Sequence, residues 1–289
     1  MRGVTITLLL ALSSAFALAQ LTPYQQAEAL LQKTEYQAAI ALLKKTGGPT
    51  NAPEFLLQGR AYYLMGEFKK AQESFEAATK HDPTSSEAQH WLGRAYGKRA
   101  ETSNPFQAPG LASNARKSFE KAVALNPNNL EAVNDLFTYY LEAPGFLGGG
   151  LDKAMALAEQ LKSKDPVEYH YAAAQIAERR KEYNIAEAQL RKAVDLAPRQ
   201  VGRVIDLAKF LARRGRYSES EEAFKRAEQI KPDSPKVVFE RASVYLETKR
   251  NLPEARQMLQ KYLTMQLSPD DPPRQEAERL LKQLAGAGG

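Results

Sequence analysis

The 289-residue chain has no cysteine, one tryptophan and three histidines. Without cysteine there is no disulfide, no thiol nucleophile and no zinc site built on thiolates, so stability has to come from packing alone. The histidines, His81, His90 and His170, stand in no His-Glu motif. No nucleophile elbow or paired-carboxylate signature accompanies them, so the sequence reads as non-catalytic, with no cofactor and no metal. Long apolar runs are also missing, with one exception at the start. Arg2, the apolar segment Val4 to Leu12 and the small-x-small triplet Ala17-Leu18-Ala19 have the form of a secretory signal. The stretch from Val4 to Ala19 is 16 residues, short of the roughly 20 that cross a bilayer. The expectation is a cleaved signal at residues 1–19 with Gln20 first, Ala17 being the other candidate site. The chain is then exported, to the periplasm or outside the cell. Lacking the cysteine of a lipoprotein, its mature form is expected to carry no membrane span.

What is present favours helix and is unevenly charged. Ala, Leu, Glu, Lys, Arg and Gln dominate. The net charge of +6 is local: residues 20–166 carry 16 Lys/Arg against 16 Asp/Glu, whereas residues 177–216 carry 11 against 5. A basic region of this kind suits anionic lipid headgroups, acidic protein or glycan. Nucleic acid does not fit an exported chain.

A packing cadence repeats along the sequence. Gly59, Tyr62, Ala71, Phe75, Ala78 and Pro83 define it. Its last four positions return at Ala115, Phe119, Ala122 and Pro127, at Ala186, Leu190, Ala193 and Pro198, and at Ser220, Phe224, Ala227 and Pro232. Phe55, Gly59 and Tyr62 share one helical face, Gly66 ends that helix, and Glu67 to Lys80 form a second helix that Pro83 stops. Small residues let neighbouring helices approach and the aromatics fill the gaps between them. These residues, with Trp91-Leu92-Gly93 and Tyr96, resemble the tetratricopeptide repeat, a helix-turn-helix unit of about 34 residues.

The resemblance covers residues 20–284 and implies an all-α, right-handed superhelical solenoid of about seven hairpins. The units lie near 20–51, 52–85, 86–129, 130–166, 167–200, 201–234 and 235–268, with a capping helix at 272–284 and a flexible tail at 285–289. Two insertions break the pattern: ten residues around Asn104 to Gly110, and five containing Gly148-Gly149-Gly150. No Lys-hydroxyl pair follows the glycines, so they read as a surface loop and not as a nucleotide site.

Relatives of this kind bind partners on the concave side, lined by first helices. The face that the spacing assigns to this groove runs from polar to apolar: Arg60, Tyr63, His90, Arg94 and Asn134, then Tyr171, Ile205, Phe239 and Leu246. The arginines suit a carboxylate or phosphate and the apolar stretch suits peptide side chains. A second candidate is a basic edge of hairpin turns, Arg179, Arg180, Lys181, Arg213, Arg214 and Arg216, whose bland reading is solvated cations near helix C-termini. The function expected is a protein or peptide scaffold or adaptor of the cell envelope. The alternative is a periplasmic subunit that encloses a small ligand with the Asn104 insertion.

Overall fold

The computed structural model describes residues 21–286, so the signal segment lies outside the described residues. Within that range the chain forms fifteen α-helices and one 3-10 turn, with no strand. It divides into two compact units, residues 1–126 and 127–289. The first holds three helical hairpins: α1 (Pro23–Gln32) with α2 (Tyr36–Lys45), α3 (Ala52–Leu64) with α4 (Phe68–His81), and α5 (Ser86–Thr102) with α6 (Ala108–Leu125). The second holds four hairpins: α7 (Leu130–Glu142) with α8 (Leu151–Leu161), α9 (Pro166–Arg179) with α10 (Tyr183–Leu196), α11 (Val201–Arg213) with α12 (Tyr217–Ile230), and α13 (Pro235–Glu247) with α14 (Leu252–Thr264). A last helix, α15 (Arg274–Gly286), packs on α13 and α14 through Ala277, Leu280 and Leu284. The tail expected from residue 285 therefore begins inside that helix.

Side-chain caps set five helix starts. Asn51, Ser85, Asn129 and Asp165 each accept a backbone N–H of the first turn, and Thr22 closes a capping box with Gln25. Five hairpins share one turn, in which a left-handed residue is followed by an N–H that reaches back to the carbonyl five residues earlier. The bonds are Glu35 to Leu30, Glu67 to Tyr62, Glu182 to Ala177, Arg216 to Leu211 and Arg250 to Tyr245, all 2.9 Å. Gly66 and Gly215 fill the left-handed position in two of them, and Thr34, Lys181 and Lys249 fill it in the others. Those three non-glycine residues hold a conformation that costs each about 1 kcal/mol.

Small residues meet large ones where the cadence places them. A β-carbon on Gly59 would lie 2.4 Å from the Phe75 ring, and one on Gly93 would lie 2.6 Å from the Phe119 ring. The second unit keeps the arrangement with alanine in place of glycine. Ala174 and Leu190, and Ala208 and Phe224, belong to one buried cluster running from Ala174 to Val244, and Ala242 and Leu259 to a second.

Both insertions are ordered. The first is largely absorbed into helix: α5 has 17 residues and α6 has 18, against 13 and 14 in the preceding hairpin. Asn104 closes the short link between them by accepting from the Phe106 and Gln107 amides, both at 3.1 Å. The second insertion forms a 3-10 turn, Gly145–Leu147, fastened by Tyr139 Oη donating to the Leu147 carbonyl at 2.9 Å and the Gly150 amide donating to the Tyr140 carbonyl at 2.8 Å. Gly149 is obligatory there, because a β-carbon would lie 1.8 Å from the Ala143 carbonyl oxygen.

Candidate functional site

In the first unit the first helices α3 and α5 bring together two arginines and an aromatic pair. Their spacing follows from the repeat: Arg60 and Arg94 hold the same position one unit apart. The Arg94 guanidinium carbon lies 4.4 Å from the Trp91 ring centre and 5.2 Å from that of Tyr63. Arg60 lies 5.4 Å from the same Trp91 ring. Tyr63 meets Trp91 edge-on at 5.4 Å and Phe68 at 5.3 Å, which holds its ring in place. The carboxylate nearest Arg60 is Glu87, at 3.9 Å, and the Arg60 Nε is buried without a hydrogen bond. Tyr24 borders this group: burial pushes its phenol up, Glu28 and Glu87 add to that, and Arg60 opposes it. Guanidinium groups laid on aromatic faces keep their planar forks oriented, an arrangement suited to a carboxylate next to an apolar group.

The second unit spends its charges differently. Arg203 on α11 bonds to the buried Glu168 on α9 at 2.9 Å, lies 3.0 Å from Asp206, and stacks on Tyr171 at 3.9 Å. Asn134 on α7 donates to the other Glu168 oxygen at 3.2 Å. Farther along, Lys209 bonds to Glu240 at 2.7 Å and Arg213 to Glu178 at 3.0 Å. Burial raises the Glu168 carboxyl against the pull of Arg203, and burial pushes Asp206 up to about 6. The Tyr171 phenol is also raised, first by its burial and then by Asp206. The network joins three successive first helices with fixed ion pairs.

Of the nine groove residues expected from spacing, the structure withdraws three from any surface. His90 is 1% exposed, beside Trp91 and Phe119; Ile205 is 2% exposed and Phe239 is 7% exposed. The correction has a plain cause. A first helix packs against first helices on both sides as well as its own partner, so the position six before the Tyr-type residue becomes core. Arg60, Tyr63 and Arg94 stay partly exposed and are brought together, whereas Asn134 and Tyr171 serve the Glu168–Arg203 network. Leu246 is half-buried against the last core cluster. The residues that spacing missed are Trp91, Glu168, Arg203, Asp206 and Glu240. Trp91 was visible only as a repeat signature, although Arg94 three residues on put both on one helix face.

The basic edge is half committed to its own chain. Arg213 is bound to Glu178, and Arg216 to both Glu187 and Glu219. Arg214 stacks on Tyr183 at 3.7 Å, and Arg180 reaches the Met155 sulfur. Arg179 and Lys181 remain exposed on the α9–α10 turn.

The histidines do not converge. His81 stacks on Phe55 at 5.1 Å, and His170 Nδ1 lies 2.6 Å from the Gln189 side-chain oxygen. Among the described residues, no group of three or more His, Asp or Glu is placed to hold a metal ion, and no helix is long and apolar enough to cross a membrane.

With this geometry in view, comparisons with known proteins place the fold. Family models described as tetratricopeptide repeat match residues 52–85, 171–235 and 205–272. A comparison with curated proteins finds no match. Among solved structures, a tetratricopeptide repeat protein from Parabacteroides merdae superposes with a TM-score of 0.59 at 14% identity, covering 91% of this chain and 97% of that one. A thermophilic protein of the same repeat class from Thermus thermophilus gives 0.52 at 21% identity, covering 69% and 97%. A chain of the APC/C hetero-tetramer Cut9–Hcn1 gives 0.51 at 16% identity, covering 90% of this chain and 48% of that one.

Proposed function

Because the chain is a tetratricopeptide-repeat protein, and such repeats generally mediate protein–protein interaction, we propose that it is a non-catalytic scaffold of the cell envelope that holds a partner peptide on α3 and α5. The observation that carries this reading is the stacking of Arg60 and Arg94 on Trp91, with Arg94 also beside Tyr63, which groups two guanidinium forks with an aromatic pair. The partner segment joins a carboxylate to a neighbouring apolar side chain: the carboxylate enters the arginine forks and the apolar group lies on Trp91 and Tyr63. Placement in the envelope rests on the N-terminal signal pattern. Affinity comes from many modest contacts on a preformed surface, with little rearrangement.

Trp91 is the only tryptophan, so its emission reports on the site directly. Titrating the chain with peptides that end in an apolar residue and a free carboxylate should give a saturable change. Amidating the peptide terminus, or changing Arg60 and Arg94 to Met, should weaken binding by about tenfold or more. Equal affinity for the amidated peptides would defeat the carboxylate reading. Export is tested separately, by the N-terminal residue of protein recovered from the envelope: Gln20 is expected, and an intact Met1 would contradict it.

A further inference from the structure

The ten residues that break the cadence are not needed to continue a stack of hairpins, yet they lengthen α5 by a full turn. That turn carries Arg99 and Thr102, with Ser103 at its C-cap, opposite the α3–α4 turn, and together with Phe68, Lys69 and Lys70 they wall an open recess of about 410 Å³. We propose that this recess binds a small organic molecule bearing a phosphate group. The inference is independent of the peptide surface on Trp91 and stands or falls separately.

Charge sets the class of ligand. Three cations line the recess against one carboxylate, Glu67, which is already bound to Lys70. Arg99 has a neutral partner in Gln72, so its charge is not cancelled there. Lys69 is exposed. A dianion matches this surplus, and a guanidinium fork with an ammonium beside it is the usual protein complement of a phosphate. The Thr102 and Ser103 hydroxyls turn back to the helix carbonyls of Lys98 and Ala100, which leaves the anionic head to the cations. One wall is apolar. Phe68, held edge-on by Tyr63 at 5.3 Å, offers a face for a ring or an alkyl body. The volume suits a single-ring molecule, at the small end of ligand sites of roughly 300–1,000 Å³.

The probes are phenyl phosphate, inorganic phosphate, benzoate and phenol, added to the full chain at low ionic strength and followed by calorimetry. Phenyl phosphate should saturate one site, bind more tightly than inorganic phosphate, and exceed benzoate by about tenfold, the margin expected of a second charge close to a guanidinium. Phenol should not bind. Arg99→Ala should weaken phenyl phosphate about tenfold, and Phe68→Ala should bring it down to the affinity of inorganic phosphate. Lys69→Ala, at an exposed position that folding does not depend on, should weaken it several-fold and covers the case in which Arg99→Ala unfolds. Absence of saturable binding, equal affinity for benzoate, or binding unchanged in Lys69→Ala would overturn the proposal.

Discussion

The two units are made of the same hairpin, but they use charge in opposite ways. Arg60 and Arg94 on the first helices of unit one lie on aromatic rings, Arg60 with a carboxylate 3.9 Å away; in unit two Arg203 is locked between the buried Glu168 and the mostly buried Asp206 at 2.9–3.0 Å. The most basic stretch, residues 177–216, falls in the second unit, and much of its charge is internally satisfied. A local run of basic residues therefore misleads as a guide to binding here, because a cation paired at short range offers little to a partner.

The largest effect should come from Arg203→Met, which leaves Glu168 and Asp206 without their cation in a mostly buried setting; a loss of about 3 kcal/mol in urea denaturation is expected. The matching change in unit one, Arg94→Met, should cost less than about 1 kcal/mol, because the methionine still packs on Trp91. Comparable losses at the two positions would erase the contrast.

Packing offers the next test. Gly93→Ala forces a β-carbon into the buried Phe119 ring and should destabilise the protein by about 2 kcal/mol despite the better helix propensity of alanine. Ala208→Gly, at the equivalent place in unit two, should cost only about 1 kcal/mol.

Acidity separates the units as well. The folded pKa of Asp206 is raised to about 6, above the value of 3.8 expected for a free carboxyl, while its side chain keeps 22% exposure. A raised acid pKa means that its contribution favours folding below the unfolded value and is lost as pH rises through 6. Asp206→Asn should therefore flatten the stability profile of the protein between pH 4 and 7 by about 1 kcal/mol, read from urea midpoints at each pH. An unchanged slope would show that Arg203 fully offsets the burial. The smallest effect lies in the turns: Lys181→Gly and Lys249→Gly should each stabilise by up to about 1 kcal/mol by relieving a left-handed conformation, whereas Gly215→Ala should do the reverse.

The repeat was legible because packing residues recur at fixed spacing and their chemistry is local: Gly59 with Phe75, or the left-handed Gly66, can be read from one hairpin. The polar surface was not, because it depends on contacts between hairpins. His90, Ile205 and Phe239 share a helical register with Arg94 and Arg60, and only the neighbouring first helix decides which of them is covered. The link from Glu168 to Arg203 spans 35 residues and joins side chains that no local motif connects. The Asn104 insertion was correctly located, but its extra residues became helix, since Asn104 closes the link in a few residues and leaves the remainder free to extend α5 and α6.

The most direct test of the contrast is the emission of Trp91 during titration with a peptide ending in an apolar residue and a free carboxylate, on the natural chain and on the Arg60→Met/Arg94→Met variant. The account predicts a saturable change in the first and its loss in the second, with urea midpoints that barely differ. A variant that still binds, or one that unfolds as Arg203→Met is expected to, would contradict it.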